Sequence, residues 1–173
     1  AFVLRPRVFK DDRGYFYESF NDKVFESLTG IKVNFIQDNQ SYSSKGTLRG
    51  LHFQTGDAAQ AKLVRVTKGS AYDVAVDLRP SSPTFKQWHG VELSAENHLQ
   101  FFIPRGFAHA FVALEDDTIF QYKVDNYYSS ANDGGIIWND NELAISWPKL
   151  KLELSEKDKN LPKLSKLNLN TLW

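Results

Sequence analysis

A histidine, a lysine and a tyrosine suffice to move a proton beside a carbonyl, and this sequence offers such a set in His52, Lys62 and Tyr122. A neutral imidazole can take a proton from a carbon next to a ketone. The enolate left behind needs a positive partner for its oxygen, and a phenol on the opposite wall can return a proton. In that chemistry His52 is the base, Lys62 the partner of the enolate and Tyr122, in "FQYKV", the donor. His52 also reads as a satisfied core imidazole and Tyr122 as a packed aromatic, and spacing alone leaves both readings open.

The elements that would have to position these residues are strands. "VNFIQDNQSYS", "KLVRVTKGSAYDVAVDLRP", "QWHGVEL", "LQFFIP", "AHAFVAL" and "TIFQYKV" are short and rich in β-branched and aromatic residues, with Gly, Pro, Ser, Asp and Asn between them. "AYDVAVDL" alternates, with Tyr72, Val74, Val76 and Leu78 on one side and Ala71, Asp73, Ala75 and Asp77 on the other. In "TLRGLHFQ", strict alternation puts Leu48, Gly50, His52 and Gln54 on one face and Arg49, Leu51 and Phe53 on the other. Arg49 should then point away from His52, as an ordinary surface arginine, unless the strand twists or bulges or a second subunit supplies a wall. Helix is expected only at the margins. "NDKVFESLTG" has Asn21 or Asp22 as a cap and Gly30 as a stop, and "LSEKDKNLP" has Ser155 as a cap. The expected fold is mainly β: an antiparallel barrel or sandwich with short flanking helices, not βαβ units.

Composition narrows the function classes. The 173 residues suit one domain over 1–173, with the segment 149–173 packing on the barrel. Lys+Arg and Asp+Glu both number 21, so no bulk charge draws the chain to nucleic acid. Without cysteine there is no disulfide framework, zinc-thiolate site or thiol nucleophile. No apolar run approaches the ~20 residues that span a bilayer, and no signal-peptide pattern opens the chain. The expectation is a cytoplasmic protein with no membrane partner. His89 and His98 read as surface or structural residues, and "EDD" as a solvated turn.

Cupin barrels carry two metal-binding sequence blocks, and this chain keeps their outline without the ligands. Gly46 precedes His52 at the expected distance, but Gln54 stands at the second histidine position and Lys62 where the acid would sit. Pro104, Gly106 and His109 keep the second block, and Ala113 replaces its last polar residue. An ammonium at a ligand position repels a divalent cation. A metal-dependent isomerase is therefore disfavoured, and no metal is expected.

"FKDDRGYFYE", "FIQDNQSYSSKGTLRGLHFQ", "QAKLVRVTKGSAYDVAVDLRPSSPTF", "IPRGFAHAF", "YKVDNYY", "IIWNDNELAISWP" and "LSEKD" together resemble the dTDP-4-dehydrorhamnose 3,5-epimerase family, from about Phe9 to Asp158. The resemblance implies a jelly-roll homodimer that needs no cofactor. It inverts C3 and C5 of a dTDP-4-keto-6-deoxyhexose on the route to dTDP-L-rhamnose. It implies His52 as base, Asp158 as the carboxylate pairing with it, Tyr122 as proton donor, and Lys62 on the enolate with His109 and Asp73 nearby. It further implies nucleotide-sugar contacts from Arg13, Glu18, Gln37, Asp38, Asn39 and Arg49, stacking of Tyr128 on thymine, and substrate contacts from Asp133 and Lys157. Guanidinium forks suit a diphosphate, and amides suit thymine edges. Asp158 also reads as a plain acid in the first turn of a helix. Asp133 stands where many members have glutamate, "TGDAAQ" replaces a proline-containing loop, and Ala110 stands where glycine is common. The rival readings are an epimerase acting at C3 or C5 alone, and a non-catalytic cupin that binds nucleotide sugars.

Overall fold

The structure is a computed structural model that describes residues 1–172; Trp173, the last residue of the apolar tail, lies outside the described residues. The chain runs through β1 (Phe2–Leu4), β2 (Phe9–Asp11), β3 (Gly14–Phe16), α1 (Asp22–Thr29), β4 (Gln37–Ser43), β5 (Leu48–Gln54) and β6 (Lys62–Lys68). It continues through β7 (Ser70–Asp77), β8 (Trp88–Ser94), β9 (Gln100–Ile103), β10 (Phe107–Ala113), β11 (Thr118–Val124), β12 (Asp133–Gly135) and α2 (Glu156–Lys159). Two five-stranded antiparallel sheets result, ordered β1-β9-β6-β11-β4 and β12-β5-β10-β7-β8, while β2 and β3 pair as a separate hairpin. This is the mainly β, antiparallel architecture that the strand spacing predicts, and the jelly roll that the family resemblance implies.

Side-chain period decides what each sheet face covers. Along β7, Ala71 and Ala75 point between the sheets, against Val64, Phe101, Phe111 and Phe120. The small alanines leave room for aromatic pairs, and the rings of Phe111 and Phe120 stack at 4.0 Å. Tyr72, Val74, Val76 and Leu78 alternate to the other face, where Ile136, Leu143, Trp147 and Leu164, all from the chain that follows β12, cover them. Strand β7 is thus buried on both faces. The outer face of the first sheet is partly polar, with Arg65 donating to Gln121 Oε1 (3.1 Å) and Gln121 Nε2 to Gln40 Oε1 (2.7 Å).

Helix α1 is too short to be stable alone. Asn21 caps it by accepting from the amide of Val24 (3.2 Å), Gly30 ends it at φ 70°, and Phe25 anchors it in a cluster with Leu63 and Phe102. A backbone exchange near the start of β5 fixes the approach to α2. The amide of Leu48 donates to the carbonyl of Glu153 and that of Glu153 to Gly46, each at 2.9 Å. The run from Glu153 into α2 therefore lies alongside the strand that carries His52.

Candidate active site

His52 and Tyr122 come from opposite sheets. His52 lies on β5 and Tyr122 on β11, next to Val64 of β6, and Lys62 opens β6. All three line two adjoining cavities of about 410 and 290 Å³ that share His52, Lys62, Tyr122 and Lys157. Gln37, Asn39, Tyr128 and Asp133 line the larger, and Arg49, His109 and Asp158 the smaller.

The imidazole of His52 is held from behind. Its Nε2 lies 2.6 Å from Oδ1 of Asp158. Ser155 caps α2 by accepting from the Asp158 amide (3.1 Å), so the helix start aims the carboxylate at the ring. Asp158 is 3% exposed. With Nε2 donating to Asp158, the lone pair sits on Nδ1. Burial lowers the pKa of His52; Asp158 opposes that, and the charges of Lys62 and Lys157 reinforce it. The ring is therefore neutral at neutral pH, the state a base requires.

Burial also lowers Lys62, to about 8, against the pull of the Asp73 and Asp133 carboxylates. Asp73 is fully buried and pairs with Nε2 of His109 at 2.8 Å, while burial raises its own pKa. Its Oδ1 and the hydroxyl of Ser41, on the wall of the smaller cavity, have no hydrogen-bond partner among the described residues. Burial raises the phenol of Tyr122, partly offset by Arg49. The phenol thus holds its proton at neutral pH, as a donor must.

Arg49 shares a cavity wall with His52, contrary to strict alternation. The reason is a register slip between β5 and β10: His109 faces His52, but Phe111 faces Arg49, so β5 carries one residue more than its partner. Gly50 makes the bulge possible, with φ 126°; a Cβ there would lie 2.5 Å from the Ala110 Cβ and 2.6 Å from the His109 carbonyl oxygen. The Arg49 fork is braced by Ser43 Oγ and the Tyr42 carbonyl, each at 3.3 Å.

The remaining expected contacts divide. Gln37 and Asn39 point inward and are bonded to each other at 2.8 Å. Asp38 between them points to the outer face and pairs with Lys123 at 2.9 Å, so its carboxylate does not line the cavity. Asp133 pairs with Lys157 and accepts from Gln54 Nε2 at 3.2 Å. Arg13 and Glu18 lie outside both cavities. Arg13, 90% exposed, sits at the tip of the β2–β3 hairpin and pairs with Asp11 at 2.6 Å, and Glu18 accepts from Asn21 at 3.2 Å. Cavity residues to which the sequence assigned no role in the site are Ser41, Phe53, Gln54, Gln60, Phe111 and Ser155. Ser41 was within reach of the alternation argument, since it shares its β4 face with Gln37 and Asn39.

A sequence model described as dTDP-4-dehydrorhamnose 3,5-epimerase matches residues 1–166. The enzyme of that name from Escherichia coli (strain K12) is 57% identical over 166 residues, 95% of this chain and 90% of its own length. A crystal structure of the enzyme from Bacillus anthracis str. Ames, with TDP and PPi bound, superposes with a TM-score of 0.91 at 57% identity, covering 94% of this chain and 93% of that one. The dTDP-6-deoxy-D-glucose-3,5-epimerase of Legionella pneumophila, in complex with dTDP-4-keto-L-rhamnose, superposes with a TM-score of 0.94 at 47% identity, covering 98% and 90%. With a whole-chain match and relatives this similar, the chain belongs to the dTDP-4-dehydrorhamnose 3,5-epimerase family.

Proposed function

We infer that the chain is a cofactor-independent isomerase that inverts C3 and C5 of dTDP-4-dehydro-6-deoxy-D-glucose, giving dTDP-4-dehydro-L-rhamnose for dTDP-L-rhamnose synthesis. The observation that carries the reading, beside family membership, is the opposition of His52, backed by Asp158 at 2.6 Å, and Tyr122 across one cavity. Binding a nucleotide sugar needs no base facing an acid; inversion at carbon needs both.

The step balances without an oxidant. His52 Nδ1 takes the C5 proton, and the electron pair of that C–H bond moves onto the C4 carbonyl oxygen. The ammonium of Lys62 stabilises the enolate, and the collapsing enolate takes the Tyr122 proton on its opposite face. Proton exchange with solvent resets the pair, and the same exchange inverts C3. The C4 ketone acidifies both carbons, so no redox group is required. Arg49 and Lys157 hold the diphosphate, with Gln37, Asn39 and Tyr128 on the thymine side.

A homodimer completes the reading. Arg13 and Glu18 line neither cavity of their own chain and stand on or beside a hairpin that exposes Phe9, Tyr15 and Phe16. A second copy is the partner that lets Arg13 reach a diphosphate and covers those rings. The reading places the enzyme with its substrate in the cytoplasm; no helix of the described residues is long and apolar enough to cross a membrane.

The test is incubation with dTDP-4-dehydro-6-deoxy-D-glucose, a downstream 4-keto reductase and its nicotinamide cofactor. NMR should show dTDP-L-rhamnose. A product inverted at one centre, or unchanged substrate that nevertheless binds, would overturn the reading.

A further inference from the structure

The hairpin of β2 and β3 pairs with neither main sheet, yet it carries Arg13 at its tip. What steadies it is a clasp of three rings. The His98 imidazole lies 4.7 Å from the Tyr15 ring and 5.2 Å from the Tyr17 ring, and the two tyrosines stack on each other at 6.0 Å. Tyr15 belongs to β3 and Tyr17 follows it, whereas His98 stands in the turn between β8 and β9.

That turn is a rigid mount. Asn97 Oδ1 accepts from the amides of Ser94 (3.1 Å) and Leu99 (2.9 Å), and its Nδ2 donates to the Glu92 carbonyl (2.9 Å). The Asn97 amide donates to Ser94 Oγ at 3.0 Å. His98 itself sits at φ 55°, a left-handed conformation that histidine and asparagine tolerate better than most residues. Just beyond Tyr17, Gln100 Nε2 donates to the Ser19 carbonyl at 2.7 Å and ties the foot of the segment to β9. Between that foot and the tip, the ring clasp sets the direction of the hairpin.

We propose that His98 is a positioning residue for substrate binding: its ring, held by Tyr15 and Tyr17, aims the hairpin so that Arg13 reaches the diphosphate in the cavity of a second copy. The proposal rests on the dimeric epimerase reading above and adds to it a residue outside the cavity. His98→Asn keeps a residue suited to the left-handed turn while removing the ring, and His98→Tyr restores a ring.

Steady-state kinetics of the dimer test the proposal. His98→Asn should raise KM about tenfold, the scale of two lost ring contacts, and leave kcat within about twofold. His98→Tyr should recover most of the loss. Arg13→Ala should raise KM, and adding His98→Asn to it should change little further, because the hairpin no longer carries the guanidinium. A wild-type KM in His98→Asn, or full additivity with Arg13→Ala, would overturn the proposal. Amide hydrogen exchange over residues 9–17 separates this from failure of the function reading. An inactive wild type would sink that reading alone, whereas unchanged exchange in His98→Asn would sink the role of His98.

Discussion

Nε2 of His52, in the middle of β5, lies 2.6 Å from Oδ1 of Asp158, in the first turn of α2 near the other end of the chain. Removing the charge of that carboxylate while keeping its shape should leave the fold intact and disturb the ring. Asp158→Asn is expected to lower kcat by about 10²–10⁴-fold, the range for a mispositioned or wrongly protonated acid–base residue. KM should change little. Steady-state kinetics on a variant with a wild-type unfolding curve checks this.

The protonation states of the cavity predict a bell-shaped pH dependence. His52 must be neutral, and its pKa is lowered below the ordinary 6.5, so kcat/KM should rise with pH below that value and then level off. Lys62 must be charged, and burial brings it to about 8, so activity should fall as pH passes that value. The Tyr122 phenol, raised by burial, keeps its proton over this range. Lys62→Arg should remove the alkaline limb, because a guanidinium stays charged, at some cost in rate. An alkaline limb unmoved in that variant would assign it to another group.

The bulge that turns Arg49 toward His52 depends on Gly50. Gly50→Ala forces a side chain into Ala110 and the His109 carbonyl at φ 126°, so it combines overpacking with backbone strain. The expected destabilisation is at least about 2 kcal/mol, read from urea unfolding. Activity should fall as well, because the bulge sets the spacing of Arg49 and His52. A stable, fully active Gly50→Ala would contradict this account of the strand.

Arg49 presents a braced guanidinium to the smaller cavity. Arg49→Lys keeps the charge and loses the fork. A charge-assisted hydrogen bond contributes about 1.5–3 kcal/mol, so KM and the dissociation constant for dTDP should rise about 10- to 100-fold, with kcat nearly constant. Isothermal titration with dTDP isolates the binding term.

Much of this site is legible in the sequence because it sits on elements with a strict period. β7 alternates as its pattern of alanines and valines dictates, and Gln37, Asn39, Lys62 and Tyr122 all fall on the inward side of their strands. The same rule turns the Asp38 side chain to the opposite face from Gln37 and Asn39, toward Lys123, although a motif read as a block assigns all three residues one role. Arg49 fails the rule for the opposite reason: a register slip is a property of two strands, and a single sequence does not print it. The contact of Asp158 with His52 was beyond periodicity too. It depends on the Glu153 run lying alongside the start of β5, a long-range pairing in which neither partner carries a local signature. Arg13 is brought to neither cavity, although the motif that carries it reads as a substrate contact.

The central claim is that His52 takes, and Tyr122 returns, the protons at both inverted carbons. Incubating dTDP-4-dehydro-6-deoxy-D-glucose in deuterated water with the wild type, His52→Ala and Tyr122→Phe, and locating the incorporated deuterium by NMR, tests it most directly. The account predicts deuterium at both C3 and C5 with the wild type and none above the uncatalysed background with His52→Ala. Tyr122→Phe should exchange protons on the original face while losing inversion. Uptake by His52→Ala at the wild-type rate would contradict the assignment of the base.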